Sequence, residues 1–157
     1  MKISKKFLIR RNLGLYSEIG LAKYLEKKNF QVFYPYRDTG IDLLTVKNGF
    51  VEYYQLKARN GQRRHPNIYW FAIRKKDVKK LLNIPKTFFV LCALQPDEKF
   101  DFLKIPIKII EKYIKLREQT TRREQWKFLE IKRVGKRKYI IKPERISKII
   151  DINKYLL

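Results

Sequence analysis

Asn48-Gly49 sits between two runs of strand-forming residues, Ile41 to Val46 and Phe50 to Leu56. Asn-Gly tolerates the backbone that a tight hairpin turn demands. The two runs are therefore expected to pair across Lys47-Asn48-Gly49. Side chains alternate along a strand, so Gln55 and Lys57 leave the second strand on one side. Asp42 stands across the turn, on the paired strand. A carboxylate, an amide oxygen and an ammonium are thereby steered toward one surface.

The rest of the chain supplies what a sheet needs around that hairpin. Leu15, Ile19, Ala22 and Leu25 recur at helical spacing, which predicts an amphipathic helix over 13–28 with Asn29 as its stop. Gln31 to Tyr36 reads as a strand, with Pro35 marking an edge or an end. Ala58 to Asn67 is polar and basic and reads as a loop, and Ile68 to Ile73 as a fourth strand. Lys76 to Leu82 is a short helix before Pro85. Thr87 to Leu94 is a continuous apolar run, the pattern of a strand covered on both faces. Phe100 to Ile105 is a further strand, and Ile107 to Leu116 a helix entered through Pro106. From Trp126 the pattern predicts a hairpin around Gly135 and a last helix from Pro143 to Ile150. No repeat or low-complexity linker interrupts this order. The expectation is one α/β domain over 1–157, a mixed central β-sheet flanked by α-helices, with its core over about 12–118 and a basic hairpin and helix over 126–157.

At 157 residues the chain is long enough for one substantial core and too short for two ordinary domains. Its hydrophobic fraction of 45% and aromatic fraction of 14% exclude a disordered polymer. Lys and Arg total 38 against 15 acids, a formal charge of +23. That surplus calls for a polyanion, nucleic acid first and an anionic membrane surface second. No apolar run reaches the ~18 residues that cross a bilayer. The basic start, Met1 to Lys6, leads into an apolar segment broken at once by Arg10, Arg11 and Asn12, so no signal peptide is expected. The single Cys92 falls inside the apolar run and is read as a core residue. An intracellular, cytoplasmic, DNA-associated protein is expected.

Hydrolysis of a phosphodiester needs charge neutralisation at the phosphate and a deprotonated water, and a divalent metal provides both. Mg²⁺ takes oxygen ligands and keeps several waters, so one or two carboxylates suffice, with Mn²⁺ as a substitute. Asp42 is the expected central carboxylate. Gln55 offers an amide oxygen and Leu56 a backbone carbonyl. Glu18, mid-helix beside Ile19, is expected to reach the sheet end and complete the shell. Lys57 would orient the water and stabilise charge at phosphorus. Each residue also has a plain structural alternative. Asp42 can pair with an arginine at a strand start, Gln55-x-Lys57 can be a solvated strand face, and Glu18 can be a surface glutamate. Glu52, three residues from Gln55, is expected to face the other way unless a bulge at Tyr53-Tyr54 reverses it, and Asp38 is a reserve carboxylate in the preceding loop.

At these residues the chain resembles the PD-(D/E)xK nuclease superfamily, which includes restriction endonucleases, Holliday-junction resolvases and Mrr-like enzymes. Gly14-Leu15-Tyr16-Ser17-Glu18 resembles the resolvase-type Gly-x-x-x-Glu helix. Asp38-Thr39-Gly40-Ile41-Asp42 resembles the Mrr-like Asp-x-Gly-Ile-Asp. Gln55-Leu56-Lys57 is similar to the Gln-x-Lys variant of some Mrr-like enzymes and of an intron-encoded homing endonuclease. In motif the likeness covers roughly Asn12 to Ile73. It implies a restriction-endonuclease-like fold, a Mg²⁺-dependent endonuclease leaving 5′-phosphate and 3′-hydroxyl ends, and a symmetric homodimer or higher oligomer. Gln55 departs from the acidic pattern and removes one anionic ligand. It thereby keeps a second reading open, a catalytically inactive nucleic-acid binder on a degenerate nuclease fold. A ribosome-associated basic protein is a third reading, and it would not call for an acid, an amide and a lysine in this register.

The expected nucleic-acid contacts are three basic groups. Arg59, Arg63 and Arg64 follow Lys57 directly. Arg122 and Arg123 come with Trp126, an aromatic that can stack on an unpaired base, and with Lys115, Arg117 and Lys127 nearby. Lys132, Arg133, Lys136, Arg137 and Lys138 surround the Gly135 turn. His65, without a second His or a Cys partner, is read as solvated or touching phosphate, not as a zinc ligand. Neutralising ~6 to 10 phosphates would cost ~10³ to 10⁵ in affinity between low and moderate salt. A DNA titration repeated at several salt concentrations checks this, and a shallow slope would contradict it.

Overall fold

The computed structural model describes residues 12–36, 40–62, 64–118, 126–135, 138–141, 150–151 and 155–157. The predicted hairpin is present, with β2 (Leu43–Lys47) antiparallel to β3 (Phe50–Asn60). Its turn residues Asn48 and Gly49 have φ of 51° and 75°. Two successive left-handed residues give the turn whose twist matches that of its strands, hence Asn-Gly.

This hairpin sits in a mixed five-stranded sheet of order β1-β2-β3-β5-β6, with β1 (Gln31–Phe33), β5 (Thr87–Leu94) and β6 (Phe100–Pro106). The β3–β5 pair is parallel, with Gln55 opposite Phe89 and Lys57 opposite Leu91, and the other pairs are antiparallel. Helix α1 (Leu13–Glu26) covers one face. Its Leu21 and Leu25 meet Leu43, Tyr54, Leu56, Ala58, Val90 and Cys92, and full burial of each such leucine contributes roughly 1.5–3 kcal/mol. The other face carries Phe89, Leu91, Ala93, Leu103 and Ile105. It packs on α2 (Lys75–Leu82), α3 (Ile107–Glu118) and a second sheet.

That second, four-stranded sheet was not foreseen. It runs β4-β7-β8-β9, from β4 (Ile68–Arg74), β7 (Trp126–Gly135), β8 (Lys138–Ile141) and β9 (Ile150–Asp151), all antiparallel. Tyr69, Phe71, Ile73, Leu129, Ile131 and Tyr139 face the first sheet. The α/β class and the mixed sheet with flanking helices are as expected, but β4 joins the C-terminal hairpin instead of the central sheet. The hairpin around Gly135 forms as expected. Of the predicted last helix, 143–149 lies outside the described residues, and Ile150 pairs with Ile141 as strand. No helix among the described residues is long and apolar enough to cross a membrane.

Three boundaries differ for physical reasons. The β1 strand stops at Phe33, before Pro35, which has no N–H to give a ladder. The β3 strand runs on through Asn60, because its parallel ladder with β5 continues to Asn60–Leu94 and buries Ala58. Lys57 is thus mid-strand and not at a strand end. In α1 the buried stripe is Ser17, Leu21, Ala22 and Leu25, while Leu15 is 57% exposed and Ile19 also faces out. Ser17 can be buried because its hydroxyl donates to Gly14 O at 2.6 Å. That rotation sets Glu18 on the flank of the sheet-facing stripe. Asn29, with φ of 63°, ends the helix region as predicted.

The chain leaves β3 through a tight loop in which Gly61 lies against Pro66. A β-carbon on Gly61 would fall 2.0 Å from the Pro66 carbonyl oxygen. Gly61→Ala is expected to cost ~1–3 kcal/mol as an overpacking change. Gly14→Ala, with nothing within 4 Å of its added carbon, should gain up to ~1 kcal/mol from helix propensity. Denaturant unfolding of both variants tests the contrast in sign.

Candidate active site

Asp42 immediately precedes β2. Its backbone N–H donates to Tyr54 O at 2.8 Å, one rung beyond the named ladder. Its carboxylate then takes the place of the missing strand. Oδ2 accepts from the Leu56 backbone N–H at 2.6 Å and from Gln55 Nε2 at 2.7 Å. A buried peptide N–H must find an acceptor, and this one finds a charge. The preceding Gly40 has φ of 80°, a conformation open to glycine at little cost. A β-carbon there would come 3.5 Å from Gln55 Oε1.

Gln55 is only 6% exposed, and Lys57 is half-buried. Strand alternation and the register opposite Phe89 and Leu91 place both on the sheet face away from α1, as the sequence implied. The pairing of Gln55 with Asp42 differs from the expected convergence of oxygens. The amide turns its nitrogen to Asp42, because a carboxylate accepts and does not donate. Presenting Oε1 there instead needs a half-turn of the amide.

Glu18 approaches from α1. Its carboxyl is pushed above the usual carboxylate range, first by burial and then by the negative charge of Asp42. Two acids from different elements therefore feel one another at one end of the β2–β3 pair. Cys92 is fully buried, as expected. Its thiol is raised chiefly by burial, with a hydrogen bond to Ser17 acting the other way and the charges of Asp42 and Glu18 adding to the rise. It is packing, not a nucleophile. Tyr34, half-exposed, is a neighbour that sequence reasoning missed. Its hydroxyl is raised by partial burial and then by the charges of Glu18 and Glu26. Its only sequence signal was its place just before Pro35.

Glu52 is no reserve ligand, as its spacing from Gln55 implied. The register Thr45–Glu52 is regular. Its Oε2 takes Lys104 Nζ at 2.7 Å and accepts from the Tyr54 hydroxyl. Asp38 and Arg63 lie outside the described residues, as do Arg122, Arg123, Lys136 and Arg137. The backbone of Trp126 opens β7 opposite Arg74. Arg59, Arg64, His65, Lys132 and Lys138 are exposed, with Arg59 Nη1 also donating to Ala58 O at 2.7 Å.

Arg133, among the expected nucleic-acid contacts, is half-buried and bonded within the protein. Its Nη1 donates to Gln95 Oε1, and its Nε donates to Gly135 O at 3.1 Å. Gln95 Nε2 donates to the Tyr139 hydroxyl at 2.7 Å, which in turn donates to Asp101. Arg133 therefore ties the two sheets together.

No family model matches this chain, and no curated protein does.

The donor set can be tested against Mg²⁺. Among the described residues no three His, Cys, Asp or Glu side chains come together. A hard, largely hydrated cation asks for less. Asp42 and Glu18 provide two carboxylates whose mutual repulsion a cation would relieve, and Leu56 O and, after a half-turn of its amide, Gln55 Oε1 would be the neutral oxygens. These residues fit Mg²⁺ held at low affinity.

Gln55→Glu would replace the Nε2–Oδ2 hydrogen bond with two facing carboxylates. Hydrogen bonds to charged groups contribute roughly 1.5–3 kcal/mol, so the metal-free variant should lose about that much at pH 7. The new carboxyl has its pKa raised by Asp42, so the loss should shrink as pH falls and it protonates. Added Mg²⁺ should restore the variant more than it stabilises wild type. Thermal melts with EDTA or Mg²⁺ at two pH values check the sign.

Proposed function

We propose that this protein is a Mg²⁺-dependent endodeoxyribonuclease of the PD-(D/E)xK type in its Gln-x-Lys form, cutting DNA to 5′-phosphate and 3′-hydroxyl ends. The observation that carries this reading is the grip on Asp42. Two donors from β3 fix its carboxylate, Glu18 feels its charge, and Lys57 leaves β3 on the Gln55 side. Asp42 and Glu18, with Gln55 and Leu56 oxygens, would hold Mg²⁺, which would supply Lewis acidity and an activated water.

The chain's own residues do the rest. Asp42 is held in place by the two hydrogen bonds that Oδ2 accepts, from the Leu56 N–H and Gln55 Nε2. Glu18 holds its proton more tightly than a free glutamate, so it must release that proton to serve as a ligand. Lys57 brings a positive charge to the phosphate where negative charge grows in the transition state. Arg59, Arg64, Lys132 and Lys138 supply exposed positive charge for the DNA backbone. Cutting both strands of a duplex calls for two sites, and a homodimer supplies them. The resolvase-like helix of Gly14 to Glu18 favours a four-way junction as substrate, and Gln55 favours a restriction, Mrr-like or homing role.

One observation favours the second reading. Gln55 satisfies Asp42 without any cation, as a retired site would. A non-cleaving nucleic-acid binder on the same fold is then the alternative.

Cleavage of duplex, single-stranded, flapped and four-way DNA in Mg²⁺ or Mn²⁺ separates the two. Lys57→Ala is expected to slow cutting ~10²–10³-fold while leaving DNA binding in EDTA intact. Asp42→Ala should abolish it. The pH dependence follows from the Glu18 shift. Its folded pKa is raised, so the protonated form persists to higher pH and competes with the cation. Cleavage should therefore rise with pH through the range just above that of an ordinary carboxylate, and Glu18→Gln should flatten the rise. Wild type that binds every substrate and cuts none favours the binder.

A further inference from the structure

The second sheet has an outer face of which the nuclease reading uses only Lys132 and Lys138, as general positive charge. Inward positions on β4, β7 and β8 are filled by fully buried residues such as Tyr69, Phe71, Leu129, Ile131 and Tyr139. The alternating positions face away from that core. At their centre Trp70 is 47% exposed. Its position across the ladder is taken by Glu130, whose Oε2 accepts from the indole Nε1 at 2.9 Å. That bond holds the ring at a fixed angle while leaving much of its surface in water. Trp70 is set apart from the other exposed aromatics by this polar anchor, which presents one ring face on a regular strand.

The surroundings of Trp70 are basic. Lys132 is exposed and pairs with Ile68, which makes it the diagonal neighbour of Trp70, at the ~7–8 Å of such pairs. Lys138 is exposed one strand further on. The chain also links this face to the candidate active site. After Lys57 and the exposed Arg59, one short loop carrying exposed Arg64 and His65 enters β4 at Ile68, and its Asn67 O accepts from the Arg133 N–H at 2.8 Å. A stacking ring with cations beside it, on a chain of charge +23, matches the chemistry of unpaired nucleotides. Bases stack on the aromatic, and phosphates meet the lysines.

We propose that the outer face of the second sheet binds single-stranded nucleic acid, with Trp70 as the stacking residue and Lys132 and Lys138 as phosphate contacts. The substrate of the site would then be DNA carrying an unpaired segment, such as a flap or a branch, in preference to plain duplex. This rests on the nucleic-acid reading above, but not on catalysis.

The test is fluorescence anisotropy of the full-length protein in EDTA, with a labelled oligo(dT) and a labelled blunt hairpin duplex as probes. Trp70→Ala is expected to weaken oligo(dT) binding by ~10-fold or more and to change duplex binding less than twofold. Trp70→Phe keeps a stacking surface without the indole N–H and should recover most of the oligo(dT) affinity, so a fold defect in the alanine variant cannot imitate the result. Glu130→Gln, which removes a negative charge beside the ring and keeps an acceptor, should tighten oligo(dT). Unchanged oligo(dT) binding in Trp70→Ala, or an equal loss with both probes in both Trp70 variants, overturns the proposal. So does a change of sedimentation coefficient in Trp70→Phe or Trp70→Ala, which would make this face a contact between copies of the chain. Wild type that binds neither probe removes the nucleic-acid reading as well. Wild type that binds both but cuts nothing removes only the catalytic reading.

Discussion

Strand β3 is paired on both sides in opposite senses, antiparallel to β2 and parallel to β5. A parallel neighbour cannot be reached by a tight turn, and the chain must cross over a dozen or more residues. The crossover from Asn60 to Thr87 carries β4 and α2. Because β4 lies within the crossover, it is placed over the face of the first sheet, where it becomes the first strand of the second sheet. The same two-sided pairing fixes the alternation of β3. Tyr54, Leu56 and Ala58 go toward α1 and Gln55 and Lys57 to the other side. A slip of one residue in either ladder would exchange these sets, burying the lysine under α1 and turning Leu56 away from it. The polar face of β3 is thus held in place by apolar packing on the opposite face.

The acidic pair sits oddly in so basic a protein. With a formal charge of +23, the average field should favour ionised carboxylates. Glu18 nevertheless has its carboxyl raised, by burial first and Asp42 second. Local terms win because salt screens charges beyond about 8 Å at physiological ionic strength, whereas desolvation acts on the group itself. Asp42 shows the opposite solution within the same site. Its charge is compensated by the Leu56 N–H and the Gln55 amide. Two carboxylates of one site thus meet unlike surroundings, one held by two hydrogen bonds from β3 and the other partly buried on α1.

The sequence made some of this legible. The Asn48-Gly49 turn fixed the β2–β3 register, and register alone placed Asp42 across from Gln55 and turned Glu52 away. Thr87 to Leu94 was readable because a strand covered on both faces has no polar positions. What could not be read depended on partners distant in sequence. The α1 stripe was misplaced because Ser17 looks polar, and only its bond to Gly14 O makes it a buried residue. The end of β3 was drawn too early because Arg59 and Asn60 look like loop, until β5 provides a ladder for them. The second sheet was invisible because β4 and β7 are paired across the length of α2, β5, β6 and α3, and no local pattern encodes that contact.

Counting positive residues also overstates the surface available to a polyanion. Arg133 is used between the sheets, in the chain through Gln95, Tyr139 and Asp101. Lys104 lies between Glu52 and the ring of Phe88, 4.2 Å from its centroid. Arg74 is paired with Asp77 at 2.8 Å, and Lys47 donates to Lys28 O at 2.7 Å. These cations have already exchanged water for protein partners, so recruiting them to phosphate means breaking those contacts. The residues that would release counterions to a polyanion are the exposed ones, Arg59, Arg64, Lys132 and Lys138 among them. They are carried by the end of β3, the loop that follows it and the second sheet. The positive surface open to a polyanion is therefore set by topology as much as by composition, since the fold decides which cations are spent on protein partners and which stay exposed.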